Sequence, residues 1–440
     1  MNWSLLISLP ATTRPTNVVL IMADDVGFEC FSSYGSKEYS TPHLDALAKE
    51  GIRFTNCHST PLCTPSRVNL LSGKSNVFNY QDFGIYPKGE PTFGNYFKAM
   101  GYATAVAGKW QLLKSEGGIT PSEAGFDTYC LWNTPKTSRA RYWNPSLEHD
   151  GKLLNLEKDT YGPDVVTDFL IEFIEKNKDR PFLAYYPMIL VHSPFPPTPQ
   201  SKDLEEKDNK KNFVDMVHYM DQCAGRITDK LEELGLRENT LFIFTSDNGT
   251  HDSLTSVLQD DPVSGGKGFT HDYGTHVPLI VNQPGIIPTQ QVNDDLICFS
   301  DFFPTLIEAT ALPARPIKDG DGWSFWPQCL GQMGTKREWL YGYYFPRPYS
   351  GKFDNKYAHW EVHYARDKQH KLYADGDLYD VLIDPLEKSP ITTASENSVQ
   401  AKARKKLLSA LEAYPKEGRA VDRSRVKAKR PANYRNRAGN

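Results

Sequence analysis

No apolar run in this chain approaches the ~20 residues that a membrane-spanning helix needs, and mean hydropathy is -0.53. No membrane span is therefore expected. Charge of one sign is also missing: 50 Lys and Arg against 54 Asp and Glu leave -4 over 440 residues. That balance gives no electrostatic footprint for nucleic acid. Cysteine is sparse and odd in number. Cys30, Cys57, Cys63, Cys130, Cys223, Cys298 and Cys329 fall at no metal-ligand spacing and indicate no disulfide framework. There is no internal repeat. A basic n-region is absent from the start, where Trp3 to Leu9 is followed by Pro10-Ala11-Thr12. Residues 1–16 read either as the remnant of a secretory signal or as a leader before the first strand. The first reading implies a periplasmic or secreted protein, the second a cytoplasmic one.

What is present is the composition of an ordinary globular protein, 39% apolar and 12% aromatic. Asn17 to Met22 is a continuous apolar run ending in Ala23-Asp24-Asp25, the pattern of a buried central strand that delivers carboxylates at its C-terminal end. A helix is expected from Thr41-Pro42, with Thr41 as its cap. Further strands are expected at Ala103 to Ala107, Phe182 to Tyr186, Thr240 to Thr245 and Val277 to Val281. Helices are expected at Pro91 to Met100, Asp164 to Lys176, Phe213 to Leu234 and Phe302 to Thr310. This alternation predicts an α/β fold with a large, mixed, mostly parallel sheet sandwiched by helices. Beyond about Pro316 the chain becomes rich in Trp and Tyr, with strand-like pieces at Tyr357 to Arg366, Lys371 to Tyr373 and Leu378 to Tyr379. The expected division is a main domain over 17–330 and a small antiparallel subdomain over 331–415, closed by a helix at Val399 to Tyr414. A basic tail, 416–440, follows.

Four segments carry chemistry, and three of them follow or end an expected strand, where open α/β sheets collect their active sites. Asp24-Asp25 sets two carboxylates side by side. Thr245-Ser246-Asp247-Asn248-Gly249 adds a third carboxylate and an amide oxygen. Such an all-oxygen set suits a hard cation, Ca²⁺ or, as second choice, Mg²⁺. The other two are Cys63-Thr64-Pro65-Ser66-Arg67, with Leu70-Leu71-Ser72-Gly73 after it, and Gly108-Lys109-Trp110.

Cys-x-Pro-x-Arg, with Ile21-Met22-Ala23-Asp24-Asp25-Val26-Gly27 upstream, resembles the signature of the type I, arylsulfatase-like sulfatases of the alkaline-phosphatase superfamily. The resemblance runs from about Asn17 to Pro385. It takes in Val191-His192-Ser193-Pro194, Ser246 to Gly249, Lys267-Gly268, Gly274 to Pro278, Leu378-Tyr379-Asp380 and Asp384-Pro385. It implies hydrolysis of sulfate esters by a formylglycine made from Cys63 by a maturation enzyme. The hydrated aldehyde attacks sulfur, and its second hydroxyl then expels sulfate by C–O cleavage. It also implies Asp24, Asp25, Asp247, Asn248 and the matured Cys63 as ligands of one divalent cation. Arg67 would hold the diol, Lys109 would offset charge on the sulfate, and Lys267 and His192 would contact the ester and protonate the leaving oxygen.

Two positions depart from the family pattern. Gln111 stands where the family has His after Gly-Lys-Trp, and Gln is no base near neutral pH. Either an aspartate ligand or His251 takes the proton in its place, or turnover is impaired. His276 stands where Arg is usual, a structural variation. The expected substrate is a sulfated small molecule or oligosaccharide. The carbohydrate reading rests on Trp132, Arg139, Arg141, Trp143, Tyr344, Arg347 and His359 as rim residues, with packing between subdomains as their alternative role. The competing functions are a degenerate sulfatase that binds sulfated glycans without turnover, and a phosphodiesterase or phosphonate hydrolase on the same scaffold.

Overall fold

The computed structural model describes residues 15–114, 117–314, 316–345 and 361–421. Strand β1, Asn17–Ala23, is buried at all seven positions. It pairs in parallel with Phe182–Pro187 on one side and Thr240–Ser246 on the other. Alternate side chains enter two cores: Val19 and Ile21 join one, and Val18, Leu20 and Met22 join the other. A strand covered on both faces has no polar side to alternate, hence the unbroken apolar run. Each of these side chains contributes about 1.5–3 kcal/mol by leaving water.

Across the middle of the sheet the strands run Ile52–His58, His276–Asn282, Thr240–Ser246, β1, Phe182–Pro187, Ala103–Lys109 and Thr128–Trp132. All are parallel except His276–Asn282, which is antiparallel to both neighbours. Helices Pro42–Lys49, Gly162–Lys176 and Asn209–Glu233 cover one face. Cys63–Ser72, Phe93–Ala99 and Phe302–Ala309 cover the other. The expected mostly parallel, helix-covered sheet is present.

A separate four-stranded antiparallel sheet follows, ordered Leu340–Tyr344, Val362–Arg366, His370–Tyr373, Leu378–Asp380. Helix Ser398–Glu412, opened by the Asn397 capping box, lays Leu407 and Ala410 on Ala365, Leu372 and Leu378. The sheet also packs, through Tyr344, Val362, Tyr364 and Tyr373, around Leu296 and the partly buried Leu62. Leu62 is the residue before Cys63. The small sheet therefore braces the start of the helix that carries the signature cysteine.

Several local expectations need correction. Strands Ile52–His58, Thr128–Trp132 and Leu340–Tyr344 were not anticipated; Arg53, Thr55 and Asn56 break the apolar pattern of the first, and Gly342 interrupts the three tyrosines of the third. Thr41 precedes its helix, but its hydroxyl meets Ser32 and Asp45 rather than a free helix N–H. The Asp221 carboxylate accepts from the N–H groups of His43 and Leu44 instead. The expected rim residues Arg347 and His359, most of the 1–16 leader, and 422–440 of the tail lie outside the described residues.

Candidate active site

The strand ends bring the sequence-selected residues together. Asp24 and Asp25 leave β1 fully buried. Asp25 takes φ 63°, and its N–H donates to Asp247 Oδ1 at 3.1 Å. Each carboxylate has its own lysine. Lys109 Nζ lies 2.8 and 2.7 Å from the two Asp24 oxygens, and Lys267 Nζ pairs with Asp25 Oδ2. Lys109 ends its strand after Gly108, at φ 115°, where a Cβ would lie 2.0 Å from the Pro187 carbonyl oxygen. Only glycine permits that approach.

Cys63 opens a ten-residue helix that is buried throughout, so its thiol lies where the helix dipole favours an anion. Burial, more than any neighbouring charge, pushes the thiol pKa up, with Lys109 pulling the other way. A cysteine that worked as a thiolate would want the opposite shift. One turn on, Arg67 Nη2 binds Asp247 Oδ2 at 2.8 Å and Nη1 donates to the Lys109 carbonyl at 2.9 Å. Its Nε is buried without a partner. Asp247 is raised to about 7, first by burial and then by Asp24, against the pull of Arg67. Burial also opposes ionisation of Asp25, but His192, Lys267 and Lys109 outweigh it and hold Asp25 well below the usual carboxylate range.

His192 Nδ1 lies 2.6 Å from the Ser193 carbonyl oxygen, and Nε2 lies 3.2 Å from Lys267 Nζ and 3.5 Å from Asp25 Oδ2. Burial lowers its pKa to about 3, so the ring is neutral, donating through Nδ1 and accepting from Lys267 through Nε2.

The oxygen donors fit a hard cation. Asn248 Nδ2 donates to Asp25 Oδ1 at 2.9 Å, while Asn248 Oδ1 is buried and has no partner. That orphan acceptor beside three carboxylates is what a cation would satisfy. Ligand atoms of Asp24, Asp25 and His192 also lie within 4.8 Å of one another. The His192 nitrogen already faces the Lys267 ammonium, and this favours the oxygen set.

The centre opens into a cleft of about 490 Å³ lined by Cys63, Lys109, Gln111, His192, His251 and Lys267 among others. Trp132, Arg139, Arg141 and Tyr344 line it as expected. Trp143 does not; its indole donates to the Pro197 carbonyl at 2.8 Å and packs on Tyr161. His276 is also elsewhere, stacked on Phe28 with ring centroids 4.0 Å apart. Gln111 takes φ 57°, and its Oε1 is buried without a partner. His251 Nδ1 meets Ser253 Oγ at 2.9 Å and Asp252 at 3.1 Å. Phe83, Asn133, Ser138 and Asp252 also line the cleft. Sequence reasoning missed them, since isolated loop residues carry no spacing signal.

A family model described as Sulfatase matches residues 16–312, and one described as N-sulphoglucosamine sulphohydrolase, C-terminal, matches 266–413. Arylsulfatase A of Homo sapiens is 30% identical over 407 residues, covering 82% of this chain and 78% of that protein. N-acetylgalactosamine-6-O-sulfatase of Bacteroides thetaiotaomicron is 28% identical over 409 residues, covering 74% and 79%. A protein solved in complex with its substrate D-glucosamine-2-N,6-O-disulfate superposes with a TM-score of 0.71 at 21% identity, over 96% of this chain and 100% of that one. The fold is thus the alkaline-phosphatase-like sandwich of these proteins.

Proposed function

From the premise that this chain belongs to the sulfatase family, we propose that it hydrolyses sulfate esters on a sulfated carbohydrate, with Cys63 matured to formylglycine as the source of the nucleophilic oxygen. The carrying observation is the convergence of Cys63 with Asp24, Asp25, Asp247, Asn248, Arg67, Lys109, Lys267 and His192 at the strand ends. The carbohydrate part is supported by Trp132, Tyr344 and Arg141 on the cleft wall, and by the galactosamine and glucosamine sulfates named for the relatives.

A Ca²⁺, or Mg²⁺ as second choice, held by Asp24, Asp25, Asp247, Asn248 and the matured Cys63, would supply Lewis-acid polarisation of a sulfate oxygen and acidify a nearby hydroxyl. Arg67 is fixed by Asp247 and the Lys109 carbonyl, which leaves its Nε to hydrogen-bond the nucleophile one turn away. Lys109 and Lys267 place positive charge where the sulfate oxygens gather negative charge. His192 is neutral, so the Lys267 ammonium is the proton carrier for the leaving alkoxide, with His192 orienting it from 3.2 Å.

The test is peptide mass spectrometry of the Cys63 segment in protein co-produced with a maturation enzyme, beside sulfate release from aryl and saccharide sulfates. Active protein should carry the aldehyde or its hydrate at position 63, and Cys63→Ala should lose turnover while keeping its fold. An unmodified thiol in fully active protein would overturn the reading.

A further inference from the structure

Resting on the sulfatase reading, we infer that Arg141 and Arg139 form a second anion subsite, so that the preferred substrate carries another anionic group, a sulfate or carboxylate, on its leaving alcohol. Around the reacting centre every cation is spent: Arg67 on Asp247, Lys109 on Asp24, Lys267 on Asp25. Of the other buried guanidiniums, Arg337 faces Asp301 and Arg366 faces Asp272, while Arg237 is met by the Asn282 amide oxygen. The cleft wall differs. Among the described residues no carboxylate lies within ion-pair distance of Arg139 or Arg141, and both line the cleft. The carboxylate on that wall, Asp252, lies beside His251. Two guanidiniums thus face one carboxylate in a space large enough for a saccharide.

Arg141 is also held in place. Its guanidinium sits over the Trp132 ring at 4.5 Å and its Nε is buried without a partner, while its Nη2, 3.1 Å from His192 Nδ1, gains no hydrogen bond there because Nδ1 already donates to the Ser193 carbonyl. The backbone beneath is fixed. Tyr142 donates to the Ile189 carbonyl at 3.2 Å, Trp143 to Pro197, and a Cβ on Gly162 would lie 2.0 Å from the Arg141 carbonyl oxygen. A planar cation stacked on an indole keeps its edge donors in one plane, the arrangement that reads carboxylate and sulfate oxygens in pairs. His192 alone separates Arg141 from Lys267. The second anion would therefore bind one imidazole width from the reacting ester, on the leaving-group side. Arg139, exposed on the same loop, extends the site outward.

The experiment compares p-nitrophenyl sulfate with nitrophenyl sulfates bearing a ring carboxylate meta or para to the ester. It measures kcat/KM for the wild type, Arg141→Ala, Arg141→Lys and Arg139→Ala, all with matured Cys63. The readout is the carboxylated-to-neutral ratio within one preparation, so loss of active protein cancels. A charge-assisted contact predicts a wild-type ratio about 10–100 for the better isomer. The ratio should fall towards one in Arg141→Ala, fall part-way in Arg141→Lys and Arg139→Ala, and shrink with added salt. A ratio near one in the wild type, or one unmoved by all three variants, overturns the subsite while hydrolysis of p-nitrophenyl sulfate leaves the sulfatase reading standing. No hydrolysis of either ester by matured wild type would overturn both.

Discussion

Removing the Lys371 ammonium should show how the small sheet supports the site. Lys371 is fully buried, its Nζ 2.8 Å from Glu387 Oε1 and donating to the Thr270 carbonyl. Tyr373 donates to Glu387, and its hydroxyl lies 2.7 Å from that of Thr270. Burial lowers the lysine pKa and raises the carboxyl pKa, so each partner is pushed towards its neutral form. Such a pair adds little net stability, yet unpairing it costs about 3–5 kcal/mol. Lys371→Met should lose that much at pH 7.5. Since the raised Glu387 carboxyl favours protonation in the folded state, the loss should shrink as pH falls towards 4.5, where the unfolded chain also protonates. The double variant Lys371→Met/Glu387→Gln should return to within about 2 kcal/mol of the wild type. Urea unfolding at pH 7.5 and 5.5 measures all three. Equal destabilisation of single and double variants would refute the reasoning. Thr270 lies three residues from Lys267, so the stable double variant should still lose about 10–100-fold in turnover.

Metal analysis of active protein should find one Ca²⁺, or Mg²⁺, per chain; two zinc ions would contradict the ligand set. Asp24→Asn should lose most of the bound metal and leave Lys109 buried against a neutral amide. Folding stability should also fall with acid. His271 is 6% exposed and held at about 4 by burial and then Lys371, against 6.5 when unfolded. Stability present above pH 6.5 is then lost as pH falls towards 4, by up to about 3 kcal/mol, and urea midpoints for the wild type and His271→Gln should converge over that range. For Gln111, the wild type should turn over repeatedly and Gln111→His should change kcat only modestly. A rapid burst of alcohol stoichiometric with enzyme, then a rate about 10²–10⁴-fold slower, would mean that no other group supplies the missing base.

The centre of the fold was legible because its constraints are local. A short run apolar on both faces and ending in two aspartates reads as a buried strand delivering charge, since it is too short for a buried helix, and Asn17–Ala23 is such a strand. Cys63 and Arg67, four apart, had to share one helical face, and Arg67 indeed reaches the strand ends. Partner assignments were not legible. Nothing in the sequence pairs Asp24 with Lys109 and Asp25 with Lys267, or places the Asp221 carboxylate on the N–H groups at residues 43 and 44. Those contacts depend on which strands are neighbours. Trp143 and Trp132 looked alike as aromatic rim candidates, and each indole donates to a backbone carbonyl, of Pro197 and of Ser138; what separates them is that Trp132 lines the cleft while Trp143 packs on Tyr161.

Buried polar atoms without a protein partner occur elsewhere too, at Glu29 Oε2 and Arg237 Nη1 among others, but in this constellation they fall on groups that the proposed reaction would use. A purely structural network gains most when every buried donor and acceptor is used. Here three carboxylates meet three cations, yet one acceptor and one donor remain idle in full burial, Asn248 Oδ1 and Arg67 Nε. Each such atom costs about 1–3 kcal/mol while unpaired. On the proposed reading the first belongs to a residue that would ligate the cation and the second lies one turn from the residue that would supply the nucleophile, so both costs would be relieved by the bound reactants and not by folding. The idle Gln111 Oε1, in the same cleft, follows the same logic. It is an acceptor without a protein donor, and on the proposed reading a hydroxyl of the matured residue or of the substrate would supply one. On that reading cation and sulfate ester would meet these groups without the cost of first breaking a protein hydrogen bond.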